Sequence, residues 1–246
     1  MACVSLLGLD MKQATSATNQ FYQQRNSEFV YPVEFVVRAL MGNYPLLKLD
    51  KAKFPGSKIL DVGYGDGRNM PLLFNLGFDV YGIEISEEIN ELAQTRLAKL
   101  GVSAQLKQGR NAGIPFEDGF FDFVLACHSC YYIDPGTTFD TVLDEVSRVL
   151  SPRGVFICSL PMHDTYILED AERLGDGYYK IVNDPYGYRK DTVFRAFTSK
   201  EEVMADFDSR FDDIYVGFCD DDFFGVRQKV WTVVCKKRAG KESAHE

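Results

Sequence analysis

The stretch that decides the fold reads Lys58-Ile59-Leu60-Asp61-Val62-Gly63-Tyr64-Gly65-Asp66-Gly67-Arg68. Its first half is a short apolar run, which is typical of a buried strand, and its second half is a turn with three glycines. A pattern of apolar residues at helical spacing follows, from Met70 to Leu76. This order of strand, glycine turn and helix predicts the opening unit of a parallel sheet.

The same alternation continues for about a hundred residues beyond this unit. Further strands are predicted at 79–85, 102–107, 121–126, 155–160, 214–218 and 230–235. The pattern predicts an α/β fold, a doubly wound and mainly parallel seven-stranded sheet of Rossmann-like type with helices on both faces. We expect the acidic run Asp220-Asp221-Asp222 in the turn between the last two strands.

Around this sheet the chain divides into segments of one domain, 1–246. The segments are a helical cap or lid at 1–50, a ligand-binding core at 58–160, an insertion after the fifth strand at 161–198, a closing helix and strands at 199–236, and a tail at 237–246. Below, "the insertion" means residues 161–198.

The composition limits the class of partner. The formal charge is −9 and the pI is near 4.9, so a nucleic acid would meet net repulsion and is not an expected partner. No apolar run has the length of a membrane-spanning helix, and the apolar start lacks a preceding basic region. We therefore expect a cytoplasmic protein without a membrane partner.

The six cysteines lie in apolar surroundings and predict free thiols rather than disulfides. The run Cys127-His128-Ser129-Cys130 has two cysteines at a spacing used by zinc sites, but the second pair that a structural site needs is missing. We favour a strand end over a metal or redox centre, and no metal site is predicted.

The glycine turn has the position at which doubly wound sheets hold ligands, outside the carboxyl ends of the strands. Two carboxylates flank its glycines, Asp61 and Asp66, and Arg68 stands where a dinucleotide fingerprint requires a small residue. Glu84 ends the second strand, about twenty positions after Gly63, where an acid accepts hydrogen bonds from ribose hydroxyls. These residues indicate a ligand with a ribose and without a pyrophosphate.

Four motifs in order then resemble one family, the class I S-adenosylmethionine-dependent methyltransferases. They are Ile59-Leu60-Asp61-Val62-Gly63-Tyr64-Gly65-Asp66-Gly67, Val80-Tyr81-Gly82-Ile83-Glu84-Ile85-Ser86, Ile114-Pro115-Phe116-Glu117-Asp118-Gly119-Phe120-Phe121-Asp122 and Leu150-Ser151-Pro152-Arg153-Gly154-Val155-Phe156. The resemblance covers residues 58–160 and implies S-adenosylmethionine as cofactor.

The resemblance also implies roles for single residues. Gly63, Gly65 and Gly67 would approach the methionine part of the cofactor, Asp61 would order its amino group, Glu84 would hold the ribose and Ile85 would pack on the adenine. The family normally presents an acid to the adenine amine after the third strand, whereas this chain has Arg110-Asn111-Ala112, so Asn111 is the expected substitute through its side-chain carbonyl. Tyr64, Arg110, Ala112 and Cys127 complete the predicted cofactor set. The alternative for the whole set is tight-turn glycines and helix-capping acids.

The acceptor side is less determined by sequence. His128 is a candidate base for a hydroxyl or amine, and the alternative is a histidine that only shapes the pocket. Tyr131 and Tyr132 follow it. Tyr22, Arg25 and Tyr31 are candidate lid residues that contact the acceptor, with a surface arginine as the alternative for Arg25. The insertion contributes candidates that share an aromatic or cationic side chain, namely Tyr166, Tyr178, Tyr179, Tyr186, Tyr188, Arg189 and Arg195. The alternative for about half of the aromatic ones is ordinary packing of the insertion on the sheet.

The leading hypothesis is a methyltransferase that moves the methyl group of S-adenosylmethionine to an oxygen or nitrogen of a small-molecule acceptor. Two alternatives stay open: a sensor or partner subunit that binds the cofactor without catalysis, and a nicotinamide-dependent oxidoreductase, which Arg68 disfavours. The sequence leaves the acceptor, the pathway and the oligomeric state undetermined.

Overall fold

The computed structural model describes residues 11–24 and 30–239 of the chain. The helices are α1 Met11–Gln24, α2 Glu34–Met41, α3 Met70–Asn75, α4 Glu87–Lys99, α5 Phe139–Val149 and α6 Lys200–Phe207. The strands are β1 Lys58–Val62, β2 Asp79–Glu84, β3 Ala104–Gln108, β4 Phe121–Ala126, β5 Tyr132–Ile133, β6 Leu150–Pro161, β7 Glu172–Gly175, β8 Tyr178–Lys180, β9 Val193–Arg195, β10 Phe211–Phe223 and β11 Val226–Lys237.

Seven of these strands form the main sheet, in the order β10-β11-β6-β4-β1-β2-β3. The five strands from β6 to β3 are parallel, and β11 is antiparallel to both of its neighbours. The direction of winding reverses between β1 and β4, so the carboxyl ends of these two strands open the crevice in which such sheets bind ligands. The predicted seven-stranded, mainly parallel sheet is confirmed.

Helices cover both faces of the sheet because its strands alternate between two apolar clusters. Leu60 and Val124 belong to the cluster under α5 and α6, whereas Ile59 and Phe123 belong to the cluster under α2, α3 and α4. All four side chains are at most 4% exposed. The two-sided burial explains why these strands are continuous apolar runs rather than alternating ones.

Short polar signals in the sequence begin and end the helices. Ser86 accepts a hydrogen bond from the backbone N–H of Ile89 at 3.3 Å and so caps α4, and Thr138 and Thr141 form a capping box at the start of α5. Gly101 follows α4 with a φ of 70°, a conformation that glycine adopts at little cost. These local signals explain why the helix positions follow from sequence.

The acidic run Asp220-Asp221-Asp222 lies in strand β10, and its prediction as a turn is wrong. The turn is formed by Phe224 and Gly225, both with positive φ, as a two-residue hairpin requires. Asp220 forms a diagonal ion pair across the hairpin with Arg227, whose Nη2 lies 2.7 Å from Asp220 Oδ2, and the residue that faces Asp220 in the register is Lys229. Cross-strand charge pairing of this kind allows an acidic run to remain in a strand.

The insertion forms a second, smaller sheet in the order β5-β9-β8-β7. Three strands of this small sheet belong to the insertion. The fourth, β5, precedes the insertion in sequence and follows β4 of the main sheet by only a few residues. Backbone pairing of Tyr132 with Phe194 and of Ile133 with Val193 joins the two parts. The insertion is therefore hydrogen-bonded to the segment that follows β4, one of the two strands whose carboxyl ends open the crevice.

Candidate active site

A cavity of about 430 Å³ opens at the carboxyl ends of β1, β2 and β4, beside the reversal of strand order. Three parts of the chain form its walls. The first, here called the core half, consists of lining residues between Gly63 and Pro135. The second, here called the insertion half, consists of Tyr166, Tyr186, Tyr188, Arg189, Thr192 and Val193 of the insertion, together with Gln228 of β11. Helix α1 closes the cavity with Thr15, Thr18 and Tyr22.

The glycine turn forms the floor of the core half. Gly63, Gly65 and Gly67 all have a φ between 58° and 73°, so each adopts the left-handed conformation that favours glycine. A Cβ on Gly63 would lie 2.6 Å from Cβ of Ser129, and Tyr22 of helix α1 covers Gly65. At Gly63 and Gly65 the turn therefore leaves no room for a Cβ, whereas Gly67 has ordinary space around it, and of the three glycines Gly63 lines the cavity.

Asp61 lies beneath this turn and is 1% exposed. Its Oδ2 has no hydrogen-bond partner among the described residues. Burial, and then the charge of Glu84, raise the pKa of the Asp61 carboxyl well above its usual value of 3.8. A hydrogen bond with Asn69 opposes that rise, so one oxygen of the carboxyl is left to accept a hydrogen bond, and Asp61 is not among the residues that line the cavity.

Glu84 lines the core half at the end of β2 and is 6% exposed. Its Oε1 accepts a hydrogen bond from the N–H of Gly65 at 2.9 Å, and its Oε2 accepts one from the N–H of Ile85 at 2.8 Å. Burial raises the pKa of this carboxyl, and the two backbone N–H groups oppose that rise. The carboxylate is thus held in place, and each oxygen keeps a second acceptor position for a ligand hydroxyl.

The predicted adenine residues lie beside Glu84. Ile85, Arg110 and Asn111 line the cavity, and Ala112 lines a shallow adjoining recess instead. The Arg110 guanidinium is bound by Asp134, with Nη1 2.7 Å from Oδ1. The side-chain amide of Asn111 donates hydrogen bonds to the backbone carbonyls of Ser129 and Tyr132 at 2.8 and 3.1 Å. Its carbonyl oxygen is therefore left to accept a hydrogen bond from a ligand.

Cys127 and His128 lie where the two halves of the cavity meet, directly after β4. His128 has a φ of 57°, its N–H donates to Oγ of Ser159 at 2.9 Å, and its Nδ1 lies 3.2 Å from the same oxygen. Burial, and then the positive charges of Arg189 and Arg68, lower the pKa of His128 from 6.5 to about 4. Burial raises the pKa of the Cys127 thiol. Both side chains are therefore neutral at pH 7, and His128 is a weak base.

Four of the predicted acceptor tyrosines line the cavity: Tyr22, Tyr131, Tyr132 and Tyr186. Tyr31 does not, since its side chain is 73% exposed; it precedes Pro32, which favours an extended conformation at this position. Arg25 lies outside the described residues.

The insertion candidates divide into two sets. Tyr166, Tyr188 and Arg189 line the cavity, whereas Tyr178, Tyr179 and Arg195 do not. Arg195 is 6% exposed and pairs with Glu202 and Asp206 at 2.9 and 3.1 Å. It stabilises the junction between β9 and α6 and is not a wall of the site.

Sequence reasoning missed several residues of the site. Thr15 and Thr18 share a helix face with Tyr22, and their spacing of three and four residues was an available signal. Arg68 lines the cavity, and its Nε is buried without a hydrogen-bond partner among the described residues. Ser159, the partner of His128, lies in β6 and had no signal in the sequence, because the contact joins two neighbouring strands that are distant in sequence.

Comparison with known proteins identifies the core. Residues 60–158 match the family described as a methyltransferase domain. The sterol 4-C-methyltransferase strm-1 of Caenorhabditis elegans is 30% identical over 126 residues, 50% of this chain and 36% of that protein. The sterol 24-C-methyltransferase ERG6B of Gibberella zeae is 32% identical over 145 residues, 54% of this chain and 37% of that protein. The chain thus spans little more than a third of the length of these two curated relatives.

Solved structures resemble the whole fold. A SAM-dependent methyltransferase of Methanosarcina mazei has a TM-score of 0.61 at 22% identity, over 80% of this chain and 99% of that chain. A possible histamine N-methyltransferase of Thermotoga maritima has a TM-score of 0.58 at 18% identity, over 91% of this chain and 99% of that chain. At these identities the likeness is evidence for the fold.

No helix in the described part of the chain is both long enough and apolar enough to span a bilayer.

The comparisons confirm the predicted family, its fold and S-adenosylmethionine as the cofactor that belongs to it. Residues 60–158 thus match the methyltransferase-domain family, and the sheet that contains them has the fold of the solved methyltransferase structures.

Proposed function

We propose that this protein transfers the methyl group of S-adenosylmethionine to an oxygen or nitrogen atom of a small molecule. The observation that carries the proposal is that one cavity joins most of the predicted cofactor residues to a separate, polar insertion half; those in its wall are Gly63, Tyr64, Glu84, Ile85, Arg110, Asn111 and Cys127. Such a cavity accommodates two ligands end to end, with Cys127 and His128 at their junction.

The core half fits the cofactor by its chemistry. Asp61 lies beneath the glycine turn rather than in the cavity wall and offers one unpartnered oxygen for the amino group, and Glu84 offers two acceptor positions for the ribose hydroxyls. Within the glycine turn, Gly63 brings backbone to the cavity wall, where the methionine part would lie. Ile85 supplies an apolar contact and Asn111 a carbonyl oxygen for the adenine. The roles assigned to these residues are part of the proposal.

The insertion half supports a polar acceptor rather than a sterol. Its walls include the side chains of Tyr166, Tyr186, Tyr188 and Arg189, and the whole cavity of about 430 Å³ is shared with the cofactor. A ring system without polar groups would leave Arg189 Nε, which is buried without a hydrogen-bond partner among the described residues, still unsatisfied, which costs free energy. The proposed acceptor is therefore a small polar molecule, unlike the sterols in the names of the relatives.

S-adenosylmethionine supplies an electrophilic methyl group, so the residues of the chain need only align the acceptor and exclude water. Helix α1 closes the cavity, and Phe21 stacks on Tyr188 with ring centroids 4.2 Å apart. His128, with its low pKa, is better suited to orient the acceptor through a hydrogen bond than to remove its proton. This favours the second of the two roles predicted for His128.

The first test is calorimetric titration of the stripped protein with S-adenosylmethionine, S-adenosylhomocysteine and NAD. Micromolar binding of the first two without NAD supports the proposal, whereas NAD binding alone overturns it. The second test follows release of S-adenosylhomocysteine with a panel of small hydroxyl, amine and carboxylate compounds, with Glu84→Ala as the negative control. Binding without turnover by any member of the panel would favour a sensor over an enzyme.

A further inference from the structure

Arg189 is a buried cation in the wall of the insertion half. It is 8% exposed, lines the cavity and lies over the rings of Tyr188 and Tyr186, with its Cζ 4.9 and 5.2 Å from the ring centroids. Its Nη2 donates to Tyr166 Oη at 3.0 Å and to Asp184 Oδ1 at 2.7 Å. Its Nε is buried and has no hydrogen-bond partner among the described residues.

Asp184 pairs with this arginine at 2.7 Å and also holds the loop around it. Asp184 Oδ1 also accepts the N–H of Tyr186 at 3.0 Å, and Oδ2 accepts those of Tyr188 and Arg189 at 3.0 and 2.7 Å. Each carboxylate oxygen thus accepts two hydrogen bonds, three of the four from backbone. The carboxylate is used mainly to fix the loop 184–189, which presents the guanidinium to the cavity.

The charges on the cavity walls are distributed unequally. The carboxylates among the described lining residues are Asp66, Glu84 and Asp134, and all three lie in the core half. Asp134 is paired with Arg110, and Asp66 lies 3.8 Å from the Arg68 guanidinium. Among the described lining residues of the insertion half, Arg189 is the single charged group. Burial lowers the pKa of His128, and the positive charges of Arg189 and Arg68 lower it further.

We propose that the methyl acceptor carries an anionic group, a carboxylate or a phosphate, and that Arg189 binds it at the insertion end of the cavity. An anion there accepts a hydrogen bond from the guanidinium, and the tyrosine hydroxyls around it supply further donors. A quaternary ammonium or other cationic acceptor would meet the guanidinium already lying on the tyrosine rings and is disfavoured. The inference rests on the proposed methyl transfer, since it identifies the occupant of the second half of that cavity.

The test uses four aromatic probes of similar size: benzoate, phenyl phosphate, benzamide and benzyltrimethylammonium. Each is titrated calorimetrically into wild-type protein, unloaded and saturated with S-adenosylhomocysteine, at constant ionic strength. We expect at least one anion to bind about tenfold or more tightly than benzamide, as a charge-assisted hydrogen bond implies. Comparison of benzoate with phenyl phosphate then distinguishes the two anions.

Two variant pairs separate binding from folding. In Arg189→Met the preference for anions should fall below about threefold, and Arg189→Lys, which keeps the charge but loses the planar fork, should give an intermediate value. Arg195→Met and Arg195→Lys are the matched controls, since Arg195 is equally buried in the insertion, paired with carboxylates and absent from the cavity walls. They should keep the wild-type preference.

Equal binding of benzamide, tighter binding of the cation, or no binding of either anion at millimolar concentration would overturn the inference. So would an unchanged preference in a folded Arg189→Met protein. If S-adenosylhomocysteine itself fails to bind, the proposed function fails, and the anion titration of the unloaded protein still decides the role of Arg189. If it binds and no anion is preferred, this inference alone is lost.

Discussion

Replacing Glu84 with alanine should weaken the binding of S-adenosylhomocysteine by about two orders of magnitude. Each carboxylate oxygen of Glu84 accepts one backbone N–H, at 2.9 and 2.8 Å, and so has one further acceptor position for a ribose hydroxyl. A hydrogen bond to a charged group contributes about 1.5 kcal/mol or more. Loss of two such bonds gives about 3 kcal/mol, or about 150-fold in Kd.

The assay is calorimetry with S-adenosylhomocysteine and with its 2′-deoxy analogue, which lacks one of the two hydroxyls. Wild-type protein should bind the analogue about tenfold more weakly than the parent, whereas Glu84→Ala should bind both alike. Glu88→Ala is the matched control, because Glu88 is an exposed acid in the first turn of α4. A Kd for Glu84→Ala within threefold of wild type would refute the reasoning. An equal loss from the deoxy change in both proteins would refute it as well.

Three further predictions concern the same site. Affinity for S-adenosylhomocysteine should rise with pH above 3.8, because an ammonium group requires the ionised Asp61, whose pKa is raised; calorimetry at several pH values should find this slope absent in Asp61→Asn. The free energy of unfolding should fall by at most about 3 kcal/mol as pH is lowered from 6.5 to about 4, since the unfolded chain takes up a proton that native His128 excludes. In urea titrations, the His128→Gln variant should lose the part of this pH dependence that His128 causes. An identical pH dependence in the variant and the wild type would contradict the prediction. Gly63→Ala should lower Tm and abolish cofactor binding, because its Cβ would lie 2.6 Å from Cβ of Ser129 at a φ of 64°; a variant that binds as wild type would show that the turn can move.

The part of the site that sequence predicts is the part formed by consecutive residues. The glycine turn, Asp61 and Glu84 follow from a strand, a tight turn and the next strand end, each of which has a local signal. The helix positions follow for the same reason, since Ser86 and Thr138 cap helices within three residues of themselves.

The rest depends on contacts between distant residues. Ser159 of β6 contacts His128, which follows the neighbouring strand β4, and nothing in the sequence pattern of β6 distinguishes Ser159 from the residues beside it. The strands of the insertion have only three or four residues, too few for a reliable period of two. The run Asp220-Asp221-Asp222 resembles a turn in composition, and its strand conformation depends on pairing with the facing strand, where Arg227 meets Asp220.

The short strand β5 has a consequence for protein engineering. It fastens the insertion to the core by backbone hydrogen bonds, through the pairs Tyr132–Phe194 and Ile133–Val193, and such bonds place few demands on side-chain identity. Side chains at 166, 186 and 189 can therefore be diversified in a mutant library while the attachment and the cofactor half stay intact. A graft of the insertion from a relative, by contrast, should carry residues 131–133 with it, because β5 is the strand with which β9 of the transplanted sheet pairs.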